Sequence, residues 1–177
     1  MTFDIHEEKF YLEKDRISVF IGKEGETKKT ISKHFNSEID VDSKTGEVLV
    51  ESENAVDGFV LSQVIQAINF GHNPEKTLVL EDENMVFDII DVKPMVRDHL
   101  RLKTVMGRII GKEGSTRKAI EEITKCNIAV KDHYVSIIGA FENVGLVHEA
   151  LDMLIKGGSH KSMYGYLERN KVNSNGF

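Results

Sequence analysis

Along these 177 residues the apolar and polar positions change period several times, and the changes come in the same order twice. In the first pass "KFYL" has the composition of a strand and "DRISVFI" that of a short helix, while "ETKKTISKHF" begins near a threonine and continues in good helix formers. "EIDVDS" alternates apolar and polar residues, "SKTG" is turn-like, and "EVLV" completes a hairpin. Val56, Phe59, Val60, Val64 and Ile68 then recur at helical spacing, which predicts a closing amphipathic helix. The second pass reads "MVFDII", "VMGRII", "STRKAIEEIT", "NIAVKD", "DHY", "VSIIG", and a last helix carrying Val144, Val147, Leu151 and Leu154. Each pass predicts β-α-α-β-β-α, an α+β architecture. After residue 156 the chain predicts a helix break, a short helix from about Ser162 to Lys171, and a polar end.

Between the first two helices of each pass stands one phrase, "FIGKEGETKKTI" at 20–31 and "IIGKEGSTRKAI" at 109–120. A constant offset of 89 aligns residues 22–54 with 111–143 without a gap, with identities at 11 of 33 positions. The chain reads as a tandem duplication. "GHNPEKTLVLEDEN" separates the copies with a helix-ending Gly71 and an Asn73-Pro74 turn, which predicts domains at 1–80 and 81–177.

A lone Gly-x-x-Gly is expected about once by chance with 14 glycines in 177 residues, but two copies that both read GKEG are a signal. "GRIIGKEGS" has three residues between its first glycines where a phosphate-binding P-loop has four, and neither copy follows a strand as a dinucleotide fingerprint does. What is left is a Gly-x-x-Gly turn between two helices. Glycines permit close backbone approach there, and the next helix offers its free N–H groups to an anion. In KH modules such a loop clamps about four nucleotides of single-stranded nucleic acid.

Net charge, −6, argues against a protein that coats nucleic acid by bulk attraction, so the reading rests on local charge. Residues 22–33 carry Lys23, Lys28, Lys29 and Lys33 against Glu24 and Glu26; residues 97–118 carry seven cations, among them Arg97, Arg101, Lys103 and Arg108, against two acids. That difference predicts the second loop to dominate affinity. Cys126 is alone, the histidines show no ligand spacing, and no nucleophile–base set is recognisable, so no metal, cofactor or catalytic residue is expected. No signal segment or membrane span is seen, and a cytoplasmic protein is expected.

"RISVFIGKEGETKKTI", the 71–92 junction, "GRIIGKEGSTRKAIEEITKCNIAV", "VSIIGAFENVGLVHEALDMLIKG" and "GSHKSMYGYLER" together resemble the archaeal two-KH-domain small-subunit ribosome assembly factors. These are relatives of the eukaryotic KH factors that partner the rRNA dimethylase and the Nob endonuclease. The resemblance implies two tandem type I KH domains with a short C-terminal helix. It implies single-stranded RNA as ligand, near the 3′ end of small-subunit rRNA, with a Nob-type endonuclease and the alpha subunit of initiation factor two as partners. The expected RNA-binding residues are Gly22, Lys23, Glu24, Gly25, Lys28 and Lys29 in the first copy. In the second they are Arg108, Gly111, Lys112, Glu113, Gly114, Arg117 and Lys118, with His160 and Lys161 after it. Most KH domains have an apolar residue three places after the second glycine; here Lys28 and Arg117 stand there. The competing readings are an enzyme that holds a phosphorylated small molecule at the same helix start, and a protein-binding scaffold.

Overall fold

A computed structural model describes residues 6–171. The predicted tail after 171 lies outside the described residues. The chain forms two compact units, one ending at Asp82 and the other beginning at Glu83.

In the first unit, β1 (His6–Tyr11) leads into α1 (Lys14–Ile21), the glycine turn and α2 (Glu26–His34), followed by β2 (Ser37–Val41), β3 (Glu47–Ser52) and α3 (Ala55–Asn69). A short α4 (Pro74–Thr77), capped by the Asn73 side chain on the Glu75 N–H, ends the unit in a 3-10 turn. The second unit repeats the order with β4 (Met85–Asp91), α5 (His99–Ile110), α6 (Ser115–Thr124), β5 (Asn127–Lys131), β6 (Tyr134–Ala140) and α7 (Phe141–Ile155), and adds α8 (His160–Asn170). Both sheets are antiparallel and three-stranded, in the orders β1-β3-β2 and β4-β6-β5, so β2 and β5 are edge strands, as are β1 and β4.

Each core forms where helices cover one sheet face. Val48 and Val50 on β3 lie beneath Ile17 and Phe20 of α1, Ile31 of α2, and Leu61, Val64, Ile65 and Ile68 of α3, all buried. In the second unit one apolar cluster joins Val135 and Ile137 on β6 with Val105 and Ile109 of α5, Ile120 of α6, Val147, Leu151 and Leu154 of α7, and Met163 and Leu167 of α8. α8 is therefore part of that core. Its cap is Ser159, whose hydroxyl accepts the Ser162 N–H, so the helix starts two residues earlier than its predicted beginning.

Two sequence expectations need correction. In α7 all four predicted stripe residues are buried, but in α3 Val56 is 71% and Phe59 61% exposed. The inward face of α3 is instead Leu61, Val64, Ile65 and Ile68 with the small residues Gly58, Ser62 and Ala67, because a helix apolar on more than one side does not declare which side packs. The gapless alignment also fails beyond the second strand of each copy. Ile39 faces Val50 and Ile128 faces Ile137, so the offset has dropped to 87. The cause is the turn: residues between the paired Val41 and Val48 outnumber by two those between Val130 and Val135. Asn54 caps α3, whereas its aligned Asn143 lies inside α7.

Candidate nucleic-acid interface

The two GKEG turns have the same backbone. Gly22 has φ 74° and ψ 178°, and Gly111 has φ 74° and ψ 173°; Glu24 and Glu113 both have φ 54°; Gly25 and Gly114 both have φ 77°. Three of the four residues thus sit at positive φ, a turn that ends one helix and restarts the next in a new direction. Gly25 N–H donates to the Gly22 carbonyl at 3.3 Å, and Gly114 N–H to Gly111 at 3.2 Å. The first glycine is needed for space as well as for conformation, since a Cβ on Gly111 would lie 2.3 Å from Thr116 Oγ1 and 2.6 Å from Thr116 N. Thr27 and Thr116, identical in the repeat but given no role from sequence, are the residues on which the first glycines rest.

Neither α2 nor α6 has a side-chain cap. The Glu26 and Ser115 N–H groups donate to the Lys23 and Lys112 carbonyls, and the helix starts behind them carry the positive end of the dipole beside Gly25 and Gly114, an arrangement suited to a phosphate. Lys23, Glu24, Lys112 and Glu113 are exposed at the tips, as are Lys29 and Lys118 one turn into the helices. A Cβ on Gly114 would lie 3.8 Å from Lys118 Cε and 4.0 Å from Arg117 Nη2, and one on Gly25 4.0 Å from Lys29 Cε, so positive charge flanks both second glycines.

Beside the first turn runs a shallow groove. In the first unit a cavity of about 620 Å³ lies between α1, through Lys14, Ser18 and Ile21, the glycine Gly22, and the β2–β3 turn, through Ser43 and Lys44. Sequence reading overlooked Ser43 and Lys44, because nothing local says that this turn faces the glycine loop. The apolar residues near the loops separate alike in both copies. Ile31, Ile39, Ile120 and Ile128 are buried, whereas Ile21, Val41, Ile110 and Val130 are half-buried.

Several basic side chains near the loops also bond within the protein. Arg108 Nη1 donates to the Leu154 carbonyl at 2.8 Å and its Nη2 to the Gly158 carbonyl. Arg101 Nη2 donates to the Ile155 carbonyl at 3.0 Å. Both arginines thus satisfy the end of α7, whose last carbonyls lack partners within the helix. His160 Nε2 lies 2.9 Å from the Arg108 carbonyl, to which it donates, tying α8 to the end of α5. Arg16 serves α3 likewise, with Nε to the Ile68 carbonyl at 2.7 Å and Nη2 to that of His72 at 2.9 Å. Arg117 is held by Glu121 and the Ile128 carbonyl. Lys161 is exposed on α8. The charge count around the second loop therefore overstates the side chains free to reach a ligand: Arg101, Arg108 and Arg117 add to the field, but donors on each are occupied.

Among the described residues no group of histidine, cysteine and acidic side chains is placed to hold a metal ion, and no helix is long and apolar enough to cross a membrane. Burial pushes the Cys126 thiol up, opposite to the shift a nucleophile needs.

Residues 86–172 match the family model for the second KH domain of PNO1, a eukaryotic-type KH domain (KH-domain type I). A KH domain-containing protein of Methanocaldococcus jannaschii is 34% identical over 161 residues, which are 89% of this chain and 71% of that one. A crystal structure of an a/eIF2alpha–aDim2p–rRNA complex from Pyrococcus horikoshii contains a chain that superposes with a TM-score of 0.87 at 37% identity, covering 96% of each. The pre-rRNA-processing protein PNO1 of Coccidioides immitis is 38% identical over 81 residues, 46% of this chain and 31% of its own length. The chain thus spans about a third of that eukaryotic relative.

Proposed function

The chain belongs to the PNO1/Dim2-like family of KH-domain proteins, and we propose that it binds single-stranded RNA near the 3′ end of small-subunit rRNA during ribosome maturation. The observation that carries this reading is the pair of superimposable GKEG turns, each opening onto an uncapped helix start with lysines beside it. Such a turn binds through backbone N–H groups and cations, so its ligand is a chain of phosphates with splayed bases rather than a duplex. Gly22 to Gly25 with Lys28 and Lys29 serve one clamp, and Gly111 to Gly114 with Arg117 and Lys118 the other. Arg108 and His160 support the second clamp from behind.

The protein acts by binding and is not an enzyme. It works in the cytoplasm, and residues 1–80 and 81–177 are its two RNA-binding domains. The alpha subunit of initiation factor two is a partner by analogy with the Pyrococcus complex, and a Nob-type endonuclease is a second. The test is filter binding of an unpaired rRNA 3′ segment and of the same segment annealed into a stem, over a series of salt concentrations. The unpaired strand binds more tightly, and log K falls with log salt by about 0.7 for each phosphate contacted. Equal affinity for stem and strand, or a flat salt response, refutes the clamp.

A further inference from the structure

The surroundings of the two turns differ most three residues beyond the second glycine. In the second unit Arg117 Nη1 donates to the Ile128 carbonyl at 2.8 Å and to Glu121 Oε1 at 3.2 Å. The same Oε1 accepts the Ile128 N–H at 2.8 Å. Ile128 lies on β5, an edge strand of its sheet, so an ion pair from α6 takes up both outward backbone groups of that residue. The guanidinium is thereby fixed in plane and position.

A guanidinium carries five N–H donors in a rigid fork. The two on Nη1 are engaged, which leaves the parallel pair on Nε and Nη2. Nη2 lies 4.0 Å from where a Gly114 Cβ would stand, and 30% of the side chain is exposed, so the free side of the fork lies between the loop and the strand edge. The first unit has neither feature. Lys28 replaces Arg117, Ser32 replaces Glu121 and donates its hydroxyl to the Ser37 carbonyl at 2.5 Å. Among the described residues no side chain bonds to the backbone of Ile39, the counterpart of Ile128.

A phosphate is served from any direction by a mobile ammonium, and Lys112 and Lys118 already supply that. A pinned pair of parallel donors suits a planar edge with two adjacent acceptors. Guanine offers such an edge at O6 and N7, and cytosine at O2 and N3; adenine and uracil set a donor or a carbon beside each acceptor. We propose that Arg117 reads a base beside the second turn, selecting guanine or cytosine over adenine and uracil at one nucleotide, with Glu121 as its positioning residue. This rests on the RNA-binding reading above.

The test uses the full chain with its first loop disabled by Lys23→Asp and Glu24→Asp, and fluorescence anisotropy with short uridine oligomers carrying one guanine, cytosine or adenine at each position. The expected result is one position at which guanine or cytosine binds roughly tenfold tighter than adenine or uracil. 7-Deazaguanine, which lacks the N7 acceptor, removes the preference if guanine is the base read and needs no change in the protein. Arg117→Lys keeps the charge but loses the fork, and should flatten the preference between bases. Glu121→Gln, which keeps an acceptor for the Ile128 N–H but removes the ion pair to the guanidinium, should weaken the preference in part. Binding without base preference in the parent, a preference that survives Arg117→Lys, or an equal loss for all sequences overturns the proposal and leaves the RNA-binding reading intact. Absence of binding to any oligomer, by this protein and by the unaltered chain alike, overturns both.

Discussion

Alanine at Gly111 and, separately, at Gly114 separates two reasons for a glycine in the same turn. At Gly111 the backbone, φ 74° and ψ 173°, lies in a region open essentially to glycine alone. The added Cβ would also stand 2.6 Å from the backbone nitrogen of Thr116, a contact no rotamer change relieves. Conformation alone costs about 1–3 kcal/mol there, and an overlap of that kind adds on the order of 1–3 kcal/mol. The turn should leave its conformation rather than bear both. At Gly114 φ is 77° and ψ 15°, ordinary left-handed geometry, and a Cβ meets nothing nearer than Lys118 Cε at 3.8 Å. Only the left-handed penalty of about 1–2 kcal/mol applies. Thermal melting by circular dichroism, paired with anisotropy on a fluorescent single-stranded RNA, reads the two effects. Gly114→Ala should lower the melting temperature of the second unit by several degrees and affinity only a few-fold. Gly111→Ala should lose more than tenfold in affinity, about 1.4 kcal/mol or more. Equal losses, or a larger loss at Gly114, would refute the steric distinction.

Leu167→Ala, in the fully buried contact of α8 with the second core, should cost about 2–5 kcal/mol in denaturant unfolding; a loss under about 1 kcal/mol would make α8 an appendage. Arg108→Ala should destabilise by about 1–3 kcal/mol, because the Gly158 carbonyl loses the guanidinium and the Leu154 carbonyl keeps only the Gly157 N–H, and should speed hydrogen exchange near the end of α7. The exposed Lys112→Ala should be near neutral, and equal melting of these two variants contradicts the role of Arg108. Phe59→Ala should stay within about 0.5 kcal/mol, whereas Leu61→Ala on the buried face should cost about 2–5 kcal/mol by the same measurement.

The turn was legible in the sequence because only a few residue types accept positive φ, and two glycines at fixed spacing mark where the backbone takes it. The order of elements was legible for a related reason: strands and helices impose periods of 2 and 3.6 on apolar residues wherever one face is buried. Phe59 shows where that signal fails, since α3 is apolar on more than one side. The start of α5 was hidden differently. "VMGRII" declares only its last turns, yet Asp98 accepts the Arg101 N–H and begins the helix at His99. The inward bonds of Arg108 and His160 join residues 52 or fewer positions apart through tertiary contact, and no local pattern distinguishes such an arginine from one that meets a phosphate. The slip in alignment came from the first hairpin's longer turn, which the chance identities at Glu53 and Asn54 concealed.

The clamp itself is tested most directly by replacing Lys112 and Glu113 with aspartates. Both glycines and the turn are kept, while negative charge is placed where a phosphate would sit. These side chains are exposed, so stability should change by no more than about 0.5 kcal/mol. Affinity for an unpaired rRNA 3′ segment, measured with the first loop already disabled by Lys23→Asp and Glu24→Asp, should fall well over tenfold. If the fourfold variant stays folded and binds that RNA as tightly as the unaltered chain, the GKEG turns are structural and the RNA clamp is contradicted.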